Sequence, residues 1–176
     1  MPATLASDTD IATPITCILS DVDGVLTDGQ IIYDSAGNDT KRFHVRDGLA
    51  IKLWMVSGFE FGIITARNSE MVQRRCQELG IERVSQGSAR KWEDAQAVIE
   101  SLGITPENVC YIGDDLPDIP VMRRVGLAVA PADAARDARE TAAWVLQHGG
   151  GQGALRELIE RLLRAKKRWE EHLANL

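Results

Sequence analysis

The sequence predicts an α/β protein built on a single doubly wound parallel sheet, and three observations carry that reading. Apolar runs of strand length alternate with stretches of helical periodicity along most of the chain. Three of the runs stop abruptly in polar clusters: DVDG after residue 20, TARNS after residue 64 and GDD after residue 112. No internal repeat or low-complexity stretch breaks the alternation. Strand, helix, strand in this rhythm implies a Rossmann-like sheet with helices on both faces.

Residues 1–14 carry no basic start and no long apolar run, so they are neither a signal peptide nor a span, and they read as a mobile arm before a single domain at 15–176. Residues 15–19 are the first strand. Residues 30–33 and 40–45 are short extended stretches around the turn-rich SAGN, a β-hairpin insertion. Its apolar side chains, Ile31, Ile32, Tyr33 and Phe43, need a partner on the domain or on another subunit. Residues 48–57 read as a helix stopped by Gly58, and 59–64 as a strand. A helix runs to Leu79, followed by a short strand at 83–85 and a helix at 91–102 closed by Gly103. Then come a strand at 109–112, a short helix to Val125, a strand at 127–130, a helix near 133–142 and a strand at 144–146. The final helix, 154 to about 173, carries Leu155, Leu158, Ile159, Leu162 and Leu163 on one stripe.

Composition narrows the function classes. The 176 residues suit one domain, and 44% apolar with 26% charged content is ordinary for a globular chain. A formal net charge of −6 argues against nucleic acid or a membrane surface as the main partner. The three cysteines form no CxxC, and two of them, Cys17 and Cys110, lie in strand candidates, which suits a reducing cytoplasm.

The chemistry starts at Asp21 and Asp23. Two residues apart on a strand, they point the same way, at a carboxyl end where open α/β sheets bind ligands. Two such close anions repel unless a shared proton or a hard divalent cation, Mg²⁺ first among them, relieves them. A capping Asp followed by an Asp-Gly turn is the structural alternative. Thr65, Arg67 and Ser69 end the second run, Asp114 and Asp115 the third, and Lys91 opens the helix between them. Parallel strands deliver these groups to one rim, where they form a set suited to phosphoryl transfer. A carboxylate attacks phosphorus, a second carboxyl handles protons, a metal screens anion from anion, and a hydroxyl and an ammonium steady the transition state.

DVDGVLTDG, IITARNS, Lys91 and IGDDLPD resemble, in order and over nearly the whole chain, the four motifs of the haloacid dehalogenase (HAD) superfamily. The resemblance implies Asp21 as nucleophile and Asp23 as general acid/base, also giving its backbone carbonyl to Mg²⁺. It implies Thr65 and Lys91 on the phosphoryl oxygens, and Asp114 as the third metal contact with Asp115 or Asp118 in support. The intervals between motifs have no room for a cap domain. A capless site lies open, and a neighbouring subunit is the expected second wall.

FHVRDGLAIK, RRCQELGI, QGSARK, IGDDLPDIPVM and GGGQGALRELIE are further similar to the family of 3-deoxy-D-manno-octulosonate 8-phosphate (KDO 8-phosphate) phosphatases. That family implies a capless homotetramer, completed by neighbouring chains, that hydrolyses a small sugar-acid phosphate in lipopolysaccharide synthesis. The doubly anionic substrate needs further cations: Arg46, Lys52, Arg67 and Arg75, with the loop His44, Val45, Arg46, Asp47 and Gly48 shaping the pocket. Arginine suits a carboxylate because its planar fork bonds both oxygens. Arg74 reads as a solvated helix residue. HGGGQG reads as a mobile flap with Arg156 near the substrate. Ala66 stands where the family usually has Gly, and Asn68 where a small hydroxyl residue is frequent.

Two rivals share this reading: the same chemistry on a nine-carbon sialic-acid-type sugar phosphate, and a non-catalytic oligomeric module of the same fold. Asp21, Asp23, Lys91 and Asp114, all present, count against the second. A phosphomutase normally needs a cap to retain its intermediate, and no interval here holds one.

Overall fold

The computed structural model describes residues 7–37 and 39–174. In chain order the elements are α1 (Asp8–Ala12), β1 (Cys17–Ser20), β2 (Ile32–Tyr33), β3 (Asp39–Thr40), α2 (Val45–Val56), β4 (Glu60–Ile64), α3 (Glu70–Leu79) and β5 (Arg83–Ser85). They continue with α4 (Lys91–Leu102), β6 (Val109–Ile112), α5 (Ile119–Met122), β7 (Leu127–Ala130), α6 (Arg136–Thr141), β8 (Trp144–Val145), α7 (Ala154–Ala165) and α8 (Trp169–Ala174).

Six strands form one sheet in the order β5-β4-β1-β6-β7-β8, every pairing parallel. β1, β6 and β7 are buried along their whole length, as strands covered on both faces must be. Alternation sends Cys17 and Leu19 into a core with α4, α5 and α6, and Ile18 into the larger core with α2, α3 and α7. The chain leaves β1 towards β4 and β5 on one side, then returns to β6 on the other. That reversal opens a crevice at the carboxyl ends of β1 and β6, where a doubly wound sheet takes its ligand. Ser20 pairs with Ile112 in register, so both strands stop at the same level and deliver Asp21 and Gly113 side by side.

Three expectations need correcting. Residues 7–13 of the expected mobile arm are ordered: Ser7 and Asp10 form a capping box for α1, and the Arg161 guanidinium donates twice to the Asp8 carboxylate at 2.6 and 2.7 Å. Ala12 and Ile15 are fully buried, which anchors the segment; residues 1–6 lie outside the described residues. The expected final helix stops at Ala165. Lys167 takes the left-handed conformation (φ 59°) and Arg168 N–H donates to Leu163 O at 2.8 Å, a helix-ending turn without its usual glycine. The break turns Trp169 back into the core, 3% exposed.

The third correction is the 44–48 loop, which is the first turn of α2. The His44 ring caps it, Nδ1 accepting from Arg46 N–H at 3.3 Å. The hairpin strands are correspondingly short, with residues 41–44 running straight into the helix; Asn38 of the SAGN turn lies outside the described residues.

Candidate active site

Asp21 is the first residue beyond β1, and its backbone N–H continues the ladder to Ile112 O at 3.1 Å. Its side chain is 10% exposed. Oδ1 accepts Val22 N–H at 2.7 Å, and Oδ2 lies 2.7 Å from Lys91 Nζ. Lys91 begins α4 and reaches inward, 3% exposed, where Nζ also meets Asp118 Oδ1 at 2.7 Å. Burial alone would pull the Lys91 ammonium down, but Asp21 and Asp118 outweigh it and hold it above its ordinary value.

Asp118 is wholly buried and every lone pair has a donor. Oδ1 accepts from Lys91 and from Tyr111 O–H at 2.6 Å; Oδ2 accepts the N–H groups of Asp114 and Asp115 at 3.0 and 3.2 Å. Tyr111 sits on β6, where the sequence reads as plain core. Asp118 thus ties β6, α4 and the loop after β6 into one piece.

Carboxylate oxygens of Asp21, Asp114 and Asp118 come within 4.8 Å of one another. Burial, then the charge of Asp118, pushes the Asp21 carboxyl up to about 6, with Lys91 opposing; burial, Asp118 and Asp21 push Asp114 up to about 7. Lys91 is the ammonium set among these three acids, so the cluster has an excess of anions. All-oxygen donors with unrelieved negative charge fit a hard divalent cation such as Mg²⁺. Since the four hydrogen bonds to Asp118 occupy both its oxygens, Asp21, with one partner on each oxygen, and Asp114 have the lone pairs left for a cation, and Asp118 orients. Gly24 is what lets the loop close here: it holds φ +90°, and a Cβ on it would lie 2.0 Å from Asp114 Oδ2.

Asp23 faces a second group. Its Oδ1 forms an ion pair with Lys41, and Oδ2 lies 4.0 Å from Arg67 Nε, whose Nη2 is 3.9 Å from Asp39 Oδ2. Thr65 is buried at the carboxyl end of β4, its N–H donating to Ser85 O at 2.9 Å.

The remaining candidates separate. Arg75 pairs with Glu78 at 3.2 Å, lies over the Phe43 ring and occupies the space beside Gly48, where a Cβ would meet its Nη2 at 2.2 Å. Lys52 and Val45 are exposed on α2. Asp47 is buried, and its Oδ1 accepts Arg156 N–H at 2.8 Å, capping α7 from another helix. Its Oδ2 has no partner among the described residues, and burial raises its carboxyl. His44, Arg46 and Arg156 line a cavity of about 700 Å³ against α7, whose lining does not include Asp21, Asp114 or Asp118. Arg156 there is held by Glu160 at 2.9 Å and stacked on Trp169.

The glycine-rich segment 147–153 is strapped down rather than free. Glu157 accepts the N–H groups of Gln147 and His148 at 3.0 Å, Asp133 accepts that of Gly150 at 2.9 Å, and Gly151 N–H donates to Val25 O at 2.9 Å. Gly150 lies against the backbone of Gly24 and Thr27, leaving no room for a Cβ. The glycines serve close packing against the acidic loop.

A buried carboxylate held by lysine at the end of a central strand, beside a second acid and a metal-type acidic cluster, defines a hydrolase of the haloacid dehalogenase type. Comparison bears this out: a sequence model of the haloacid dehalogenase-like hydrolases matches residues 40–126. The chain is 44% identical over 157 residues to 3-deoxy-D-manno-octulosonate 8-phosphate phosphatase KdsC of Escherichia coli K12, covering 89% of this chain and 84% of that protein. It is 39% identical over 149 residues to the Haemophilus influenzae enzyme of the same name, covering 85% and 83%. Among solved structures, it superposes with TM-score 0.94 on 3-deoxy-D-manno-octulosonate 8-phosphate phosphatase from Moraxella catarrhalis in complex with magnesium, phosphate and KDO, at 37% identity over 98% of this chain and 99% of that one. The chain belongs to this family of phosphatases within the haloacid dehalogenase-like hydrolases.

Proposed function

We propose that the chain hydrolyses 3-deoxy-D-manno-octulosonate 8-phosphate to KDO and inorganic phosphate, a step in lipopolysaccharide synthesis, with Mg²⁺ as cofactor. The observation that carries this reading is the Asp21–Lys91–Asp118 bridge beside Asp114, in a chain 44% identical to an enzyme named for that reaction.

Asp21 attacks phosphorus, and a new O–P bond forms as the bond to the sugar oxygen breaks. Asp23 gives its proton to that departing oxygen. Asp23 then takes a proton from water, which attacks the aspartyl-phosphate, breaks the bond to Asp21 and frees phosphate. Thr65 and Lys91 hold the phosphoryl oxygens and stabilise the charge that builds on them. Mg²⁺, held by Asp21, Asp114 and the Asp23 backbone carbonyl, supplies the positive charge that lets a carboxylate approach a phosphate. Arg67, which already faces Asp23, is the first cation for the sugar acid. His44, Val45, Arg46, Asp47, Gly48, Lys52 and Arg75 enter this reading only through the second wall, as parts of a surface shared between subunits.

The wall is a neighbouring copy. Ile31, Tyr33, Val45, Leu49 and Val56 are exposed apolar residues on the hairpin and α2, a surface suited to a homo-oligomer, for which the family resemblance implies a tetramer. No described helix is long and apolar enough to cross a membrane. The three buried free cysteines suit the cytoplasm.

A panel of phosphate esters tests the assignment: KDO 8-phosphate, a nine-carbon sialic-acid-type sugar phosphate, a hexose phosphate and a nucleotide. The reading predicts a kcat/KM for KDO 8-phosphate at least about tenfold above the rest, equivalent to about 1.4 kcal/mol of discrimination. Preference for the nine-carbon ester would transfer the assignment to that rival. Inactivity on all four would leave a non-catalytic module.

A further inference from the structure

Lys41 carries no motif, yet its side chain is only 4% exposed and its ammonium is spent on one carboxylate oxygen, Asp23 Oδ1. Lysine is rarely buried without a partner, since desolvating its charge is costly. Asp23 itself is 24% exposed, on a loop that could otherwise sample several side-chain rotamers. Lys41 follows β3 directly, so the hairpin's return strand sets its position. The same strand reaches the other oxygen of Asp23 indirectly, because Asp39 of β3 lies 3.9 Å from Arg67, and Arg67 lies 4.0 Å from Asp23 Oδ2. The hairpin therefore holds one oxygen of the carboxyl group directly, through Lys41, and borders the Arg67 that faces the other, although it otherwise resembles a mere oligomer face.

We propose that Lys41 is a positioning residue for proton transfer: by occupying Asp23 Oδ1 it fixes the carboxyl so that Oδ2, which has no hydrogen bond to Arg67 at 4.0 Å, carries the proton to the departing sugar oxygen. This rests on the reading of Asp23 as general acid/base. Proton transfer is sensitive to distance and angle, and a loosely held donor forfeits much of its effect. The hairpin's task is then chemical as well as adhesive.

The test uses two leaving groups. A sugar alkoxide must be protonated as it leaves, whereas nitrophenolate departs unaided. In Lys41→Met, which keeps the buried stem, phosphoryl transfer from KDO 8-phosphate should slow about 100-fold, the low end of a general-acid effect. With p-nitrophenyl phosphate, rapid mixing should still give a nitrophenolate burst at the wild-type rate. Slow turnover should follow, because the water step also needs Asp23. Lys41→Arg should recover much of the loss, and Lys41→Gln serves if the methionine variant does not fold. Equal slowing of both first steps would overturn the proposal, since a merely structural lysine would damage the Asp21 cluster for either ester. So would wild-type turnover of KDO 8-phosphate by Lys41→Met. A wild-type enzyme inactive on KDO 8-phosphate but active on another alkyl phosphate would sink only the substrate assignment, and the comparison would then be run with that ester.

Discussion

Lys91 donates to Asp118 across 2.7 Å inside the protein, from 27 positions earlier in the chain, and the same ammonium reaches Asp21 at 2.7 Å. One buried charge is therefore shared by the proposed nucleophile and by the acid that organises the loop after β6.

Removing that charge leaves carboxylates uncompensated in the interior. Lys91→Met should abolish turnover and cost about 3–5 kcal/mol of stability near neutral pH, the usual penalty for breaking one side of a buried pair. Denaturant unfolding at pH 8 measures it. The loss should shrink at pH 5, where neighbouring carboxyls with raised pKa values accept protons and relieve the site. A loss of the same size at both values would contradict this account of the bridge.

Tyr111→Phe deletes one of the four donors to Asp118 and nothing else in the site. A hydrogen bond to a charged group contributes about 1.5–3 kcal/mol, so the melting temperature should fall while Mg²⁺-dependent turnover persists at a reduced level. Complete inactivity would mean that the tyrosine does more than orient Asp118.

Metal affinity should rise with pH. Asp21 and Asp114, pushed up to about 6 and about 7, stay protonated in the metal-free folded protein where an unfolded chain has already released those protons. The folded state thus binds more protons between about pH 4 and 7, and these two groups lower stability as pH rises through that window. Mg²⁺ takes the place of the protons. Its stabilisation, read as the shift in melting temperature between saturating Mg²⁺ and chelator, should be larger at pH 8 than at pH 5.5. Equal shifts would place the metal elsewhere.

Gly24→Ala should inactivate the protein, because the new Cβ would fall 2.0 Å from Asp114 Oδ2 and the residue would have to hold φ +90°. Phosphate release and Mg²⁺ binding should be lost together. Retained Mg²⁺ binding would show that the loop has another way to close.

Much of this was legible in the sequence. The strands at Val109–Ile112 and Leu127–Ala130 and the helix at Lys91–Leu102 fall where apolar runs and glycine stops put them, and Arg83–Ser85 is extended as expected. Asp21 and Asp114 converge as the ends of neighbouring parallel strands must, and Lys91 joins them from the start of α4. What escaped depends on contacts far apart in the chain. The family resemblance assigns Asp47 to a pocket loop with residues 44–48, but Asp47 caps a helix that begins at Ala154. Lys41 reaches Asp23 across a hairpin whose register no motif records. The end of α7 at Ala165 has no glycine to announce it; the pull of Trp169 into the core decides it. The order in residues 7–13 did have a local signal, since Ser7 and Asp10 are spaced as a capping box, and Arg161 then completes the anchor.

Asp21 as the nucleophile of a Mg²⁺-dependent KDO 8-phosphate phosphatase is tested most directly by phosphate release. Phosphate release from that ester should be measured for the wild type with Mg²⁺, the wild type with chelator, and Asp21→Asn with Mg²⁺, each checked for intact fold. Turnover is expected in the first alone. Appreciable hydrolysis by folded Asp21→Asn would contradict it.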